Sequence, residues 1–308
     1  VIKKISSLLI MLAISTGVTA REIITVYSPY SPSHAGTTAT RKVFDVANAA
    51  QNKYQFLLEF KAGAQGVLAL KEIEDNPTSK LAIIHAAFVD NVEKKMINES
   101  DYVPVHALGD ACWAVVSLDG DPRLGVASLA GAREIVVGSV GFGNATHLTA
   151  LQIGSRYNVP VRFVPFKSNY DSMMAMVGGH GVTFNLERVS VIEQFRDKNS
   201  NLKILAVSCP VRHPDAPTVK TLKEQGIVAP YVFNTIVAHQ RMSRDRAREL
   251  GTILDQATLT VGAKEIQRLS DFRPGVFDRI SAEEFTRSRI AMVKQLRQVH
   301  RQAIEESR

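Results

Sequence analysis

Short apolar runs alternate along this chain with segments whose apolar residues recur every three or four positions. Ile23–Tyr27, Tyr54–Phe60 and Leu81–His85 are rich in β-branched and aromatic residues, the pattern of strands. Ser28-Pro29-Tyr30-Ser31-Pro32-Ser33 breaks the first run, and Val43, Phe44, Ala47 and Ala50 then mark one face of a helix. A second helix runs through Val67, Leu70 and Ile73. Further strands are predicted at Ala114–Ser117, Arg133–Val137, Val161–Val164, Val182–Phe184 and Ile204–Ser208. Helices are predicted from Ala145 and around Asp171–Val177, the latter closed by Gly178-Gly179. Strands alternating with helices imply parallel βαβ units. The last third reads as mostly helical. Ser281-Ala282-Glu283-Glu284 is a capping box, opening a helix with Phe285, Met292, Val293, Leu296, Val299 and Ala303 on one face.

The first 20 residues follow a different pattern. Lys3 and Lys4 precede the apolar stretch Ile5–Ile14, and Val18-Thr19-Ala20 fits a small-residue cleavage site. That order predicts an export signal over residues 1–20. No later run approaches the length needed to span a bilayer. Of the 308 residues, 45% are hydrophobic and 22% charged, which excludes a disordered chain, a collagen-like fibre and a disulfide-dense miniprotein. The formal charge of +7 is spread along the chain with no basic stripe interleaved with aromatics, so no nucleic-acid partner is expected. The same excess suits a small anion. Cys112 and Cys209 are the only cysteines, and an exported compartment allows either a bridge or two buried thiols.

In open α/β sheets ligands sit beyond the carboxyl ends of the strands. Three loops of small residues occupy that position and feed helices: Ser33–Thr38, Gly63–Gly66 and Gly138–Thr146. Free N–H groups and the positive end of a helix dipole suit an anion there. The third loop adds Ser139, Asn144 and Thr146, with His147 beside them. Gly141-Phe142-Gly143 fails as a dinucleotide fingerprint, because Thr146 replaces the third glycine and Pro165, not an acid, ends the next strand. The eight histidines are scattered with no pair at metal-ligand spacing. No catalytic residue, metal or cofactor is expected.

In order and spacing these segments resemble the periplasmic solute-binding receptors of tripartite tricarboxylate transporters, the Bug/TctC family. Tyr27–Thr37 (YSPYSPSHAGT) corresponds to the family's VPFAPGGGTD, and Ala62–Ala69 (AGAQGVLA) to its PGAGGNIGA. Asp101-Tyr102-Val103-Pro104-Val105 fits D-F-x-P-V, and Val137–Leu148 (VGSVGFGNATHL) fits YGSSGVGSSSHL. Val164–Ser168, Gly178-Gly179-His180 and Leu205–Gly226 continue the match.

The resemblance implies an α/β, two-lobed periplasmic-binding-protein-like fold, type II-like, with the ligand cleft between the lobes. Lobe 1 would comprise residues 21–102 plus 226–308, and lobe 2 residues 103–225. It further implies a ligand of the small organic carboxylate class, membrane permease subunits as partners and a periplasmic location, and a monomer is expected. Carried over, the ligand-binding positions are Ser33, His34, Ala35, Gly36 and Thr37, then Ala64 and Gln65, then Ser139, Asn144, Thr146 and His147. Thr37 stands where the family's first loop ends in an acid, and Asn185 where a second-lobe acid is expected. Two other readings remain: an exported α/β hydrolase-like enzyme, with Ser139 or Cys112 as nucleophile, and a ligand sensor without a transporter.

Overall fold

The structure, a computed structural model, describes residues 20–30, 32, 35–111, 113–118, 120–121, 123–139, 142–166, 169–189, 192 and 201–306. The leader up to Thr19, together with Ser33, His34 and Cys112, lies outside the described residues.

Strands β1 (Glu22–Ser28), β2 (Tyr54–Phe60) and β3 (Lys80–Ile84) run parallel, linked by α1 (Ala35–Ala50) and α2 (Val67–Asp75). Helix α3 (Ala87–Glu93) leads to β4 (Tyr102–Ala111). The chain then builds a second sheet from β5 (Trp113–Ser117), β6 (Ile135–Ser139), β7 (Val161–Pro165), β8 (Phe184–Arg188) and β9 (Lys203–Val207). Helix α4 (Ala145–Tyr157) follows β6 and α5 (Asn169–Val177) follows β7. β10 (Val232–His239) and β11 (Phe272–Arg273) return to the first sheet, accompanied by α6 (Arg244–Val261), α7 (Ala263–Ser270), α8 (Ala282–Val299) and α9 (Arg301–Glu306). The strand orders are β11-β4-β10-β3-β1-β2 and β7-β6-β8-β5-β9.

Each sheet is covered on both faces, which is why its strands read as nearly continuous apolar runs. In β3, Leu81 and Ile83 pack under α1 and α6, whereas Ala82 and Ile84 pack under α2 and α8. This is the two-residue period of a strand expressed as two separate cores. Burying a side chain the size of Leu81 or Phe56 contributes about 1.5–3 kcal/mol. Ser281 caps α8, its hydroxyl accepting from the Glu284 N–H at 3.1 Å.

Four details depart from the sequence reading. First, β4 was not foreseen, since Pro104 and Gly109 argue against a strand. Its ladder with β10 slips register beside both residues, and these bulges accommodate them. At Gly109 φ is 122°, and a Cβ would lie 2.5 Å from the Arg273 carbonyl, so only glycine lets β11 close on β4. Second, β4 pairs in the first sheet, so the chain leaves that sheet after Ala111, not at residue 103 as drawn from sequence. Third, the last third is not only helical: β10 is a central, buried strand. Fourth, Val299 is 66% exposed and Ala303 belongs to the separate helix α9, while Ile290 takes part in the core that α8 covers.

Candidate functional site

β4 runs parallel to β3, and β10 and β11 run antiparallel to them, so Ser28, Ile84, Ala111, Val232 and Phe272 share one edge of the first sheet. Loops at this edge lead to the second sheet. After β2 the chain forms a tight turn, with Ala64 at φ 44° and Gln65 at φ 53°, before Gly66 opens α2. Two successive left-handed residues without glycine cost about 1–2 kcal/mol each. Asn91 on α3 holds the turn by donating Nδ2–H to the Gln65 carbonyl at 3.1 Å. Ala64 and Gln65 are exposed. Gly36 and Thr37 lie buried in the first turn of α1, where the Thr40 hydroxyl donates to the Gly36 carbonyl.

Next to this turn stand three residues that the sequence reading passed over. The Tyr30 hydroxyl donates to Asn234 Oδ1 at 2.7 Å, and burial pushes the phenol's pKa up. The His85 ring lies 5.4 Å from the Tyr30 ring, and its Nδ1 accepts from the Ala87 N–H at 3.3 Å. Burial pushes the His85 imidazole down to about 4, so it is neutral at pH 7. Tyr30 sits in a Pro-rich breaker, and His85 was one of eight dispersed histidines. Only pairing of β10 with β3 brings Asn234 to them.

On the second sheet, β6 ends at Ser139 and α4 begins at Ala145. Asn144 is the N-cap, its Oδ1 accepting from the His147 N–H at 3.0 Å. His147 reaches back and accepts the Gly143 N–H on Nδ1 at 2.9 Å. Its proton is therefore on Nε2, an atom buried without a partner among the described residues. The ring lies 4.6 Å from Phe163 and 6.1 Å from Phe142, and burial pushes its pKa down to about 4. His147 thus braces the loop from within. Thr146 is 5% exposed. Gly138 is required by packing: a Cβ there would lie 2.0 Å from Ser172 Oγ.

The strand predicted over Val182–Phe184 lies further along the chain. The strand runs from Phe184 to Arg188, so Asn185 is its second residue and fully buried. The carboxyl end of that strand carries Glu187 and Arg188 instead. Burial pushes the Glu187 carboxyl above its usual range. Arg188 Nη1 lies 3.7 Å from Asp271, just before β11, and so links the two sheets. A second link is Arg297 on α8, whose Nη1 donates to the Gly143 carbonyl at 3.0 Å.

The structure therefore brings Asn144, Thr146 and His147 together at one helix start and Ala64 and Gln65 at another. Of the first loop it describes Gly36, Thr37 and Thr38 with the backbone of Ala35, and of Ser139 the backbone. His147 offers no free base to a serine, because Nδ1 is committed and Nε2 carries the proton. Among the described residues no group of three or more His, Cys, Asp or Glu is arranged to hold a metal ion. No helix among them is long and apolar enough to cross a membrane. Cys209 is disulfide-bonded, and Cys112 is the only other cysteine in the chain.

Solved structures share this architecture. A TctC solute-binding protein from Polaromonas, without ligand, superposes with a TM-score of 0.71 at 17% identity over 91% of this chain and 98% of that one. A Rhodopseudomonas palustris protein with adipate gives 0.72 at 16% identity, covering 90% of this chain and 96% of its own. MatC from Rhodopseudomonas palustris with bound malate gives 0.64 at 16% identity, covering 89% and 98%. At these identities the likeness establishes the two-lobed, periplasmic-binding-protein-like fold. The "UPF0065 protein in gbd 5'region" of Cupriavidus necator is 24% identical over 184 residues, which span 56% of this chain and only 54% of that protein. The profile described as "Tripartite tricarboxylate transporter family receptor" matches residues 126–296, more than half of the chain. The chain belongs to the TctC family of tripartite tricarboxylate transporter receptors.

Proposed function

We propose that this protein is a periplasmic receptor that closes two lobes around a small organic carboxylate and delivers it to membrane permease subunits, without catalysis. One observation carries the reading: two helix-opening turns, Ala64–Gly66 before α2 and Phe142–Asn144 before α4, belong to different sheets, and each places the positive end of a helix dipole beyond a strand. Family membership and the malate and adipate in structurally similar proteins support it. The leader-like residues 1–20 fit export to the periplasm. Lobe 1 is taken as the first sheet with its helices and lobe 2 as the second, joined at the β4–β5 and β9–β10 crossings, about which closure is a hinge motion. The proposed ligand shell is Gly36, Thr37, Ala64 and Gln65 on lobe 1 and the Ser139–Thr146 loop on lobe 2. His147 braces that loop from within, and Asn185 lies buried in β8.

The test is calorimetry with succinate, malate, adipate and citrate, paired with solution scattering. Binding of at least one acid with a smaller radius of gyration is expected. Absence of binding by all four, with an unchanged scattering profile, would overturn the reading.

A further inference from the structure

We propose that His85 is a ligand-contacting residue of lobe 1, donating its Nε2–H to a carboxylate oxygen and thereby favouring carboxylates over α-amino acids. This rests on the carboxylate-receptor reading above.

The position follows from the fold. Leu81, Ala82, Ile83 and Ile84 are all buried, so β3 is fixed in the middle of its sheet and His85 emerges at its carboxyl end. Three contacts orient the ring. Ala87 N–H donates to Nδ1, and the Tyr30 ring lies 5.4 Å away. Gly66 completes the wall: a Cβ there would sit 3.5 Å from Nε2. Tyr30 is itself anchored to Asn234 at 2.7 Å. Thr235 pairs with Ile84, which sets Asn234 beside His85 across the ladder.

With Nδ1 accepting, the single proton of the neutral ring is on Nε2. That N–H has no partner among the described residues, and His85 is only half-buried. The Tyr30 hydroxyl is already used on Asn234, so it does not compete for the ligand. The wall therefore presents one N–H beside an aromatic face and the exposed Ala64–Gln65 turn. A carboxylate oxygen accepts from such a group. Aspartate and glutamate offer the same carboxylates but add an ammonium, itself only a donor, and where that group meets this wall both donors stay unpaired, which is costly where water is excluded.

The experiment compares the parent protein with His85→Phe, which keeps the ring stack but not the donor, and His85→Gln, which keeps an N–H donor. Affinities for malate, adipate, aspartate and glutamate are measured by calorimetry, and melting temperatures are recorded in parallel. Losing a hydrogen bond to a charged group predicts a tenfold to hundredfold weaker fit of the preferred diacid to His85→Phe. His85→Gln should stay within severalfold of the parent, with melting temperatures unchanged and the amino acids weaker than the diacids on the parent. If the parent binds a diacid and His85→Phe binds it equally well, the assignment of His85 fails while the receptor reading stands. If the parent binds none of the four, both fall.

Discussion

Arg297 Nη1, near the end of helix α8, donates to the carbonyl of Gly143 in the loop that opens α4. The two residues are far apart in sequence and belong to different sheets' layers, yet Arg297 is only 4% exposed. The same guanidinium donates to Asp90 at 2.7 Å and to Glu93 at 2.7 Å on α3. A fixed cation on lobe 1 thus grips the backbone of the proposed anion-holding loop of lobe 2.

Arg297→Ala removes one partner of the buried Asp90 and leaves Lys94, so it should cost about 1–3 kcal/mol in urea denaturation. Gly143 has φ 67°, and a Cβ there would lie 2.1 Å from Arg297 Nη1. Gly143→Ala should therefore destabilise the parent by about 1–3 kcal/mol. In the Arg297→Ala background only the backbone strain remains, and a coupling of at least about 0.5 kcal/mol is expected. Strict additivity would mean that the two residues do not act as a unit.

The buried Thr146 hydroxyl gives a direct check on the second-lobe loop. Thr146→Val keeps the shape and removes the donor. Its affinity for whichever diacid the parent prefers should drop roughly tenfold to hundredfold. Calorimetry returning the parent value would place the ligand away from this hydroxyl.

Acid should destabilise the protein through its buried histidines. His147 has a folded pKa of about 4 against an ordinary value of 6.5. Between these values the unfolded chain binds more protons than the folded one, so stability rises with pH across that window and levels off above 6.5. His85 acts in the same direction. Glu187 and Asp110, whose pKa values burial raises, act oppositely. They titrate equally in a His147→Gln variant, so the parent-minus-variant difference isolates His147. The unfolding free energy of the parent should fall more steeply than that of the variant from pH 6.5 to 4. Parallel curves would contradict a buried neutral His147.

The disulfide at Cys209 has an expected role in stability. All of β5 to β9 lies between Cys112 and Cys209 in sequence, so a bond between them closes a loop containing the whole second sheet. Cys209→Ser should cost about 2–5 kcal/mol, measured as a lower urea midpoint, and the parent should resist alkylation until reduced. Labelling of the unreduced parent would refute the bond.

Much of the architecture was legible because its signals are local. The runs at Tyr54–Phe60 and Val161–Val164 identify strands whose neighbours in sequence are their helices. The glycine loop at Gly138–Thr146 announces a strand-to-helix turn by composition. β4 escaped because Pro104 and Gly109 are unfavourable in a strand until a particular partner supplies bulges at those places, whereas β10, an ordinary apolar run, was hidden by the helical pattern of the segments that follow it. Val299 fits the apolar face of α8 by spacing, yet it stands at the helix end where nothing covers it.

By itself the sequence determined the alternation of strands and helices, the order of the loops and the family resemblance, since each depends on residues close together in the chain. Tertiary structure alone decided which side chains meet. Asn234 comes beside Tyr30 and His85 only through pairing of β10 with β3, and Arg297 reaches Gly143 only once α8 packs across both layers. It also turned His147 inward, where its ring packs on Phe163 and Nδ1 accepts the Gly143 N–H. Such contacts depend on burial and long-range geometry, which residue spacing does not encode.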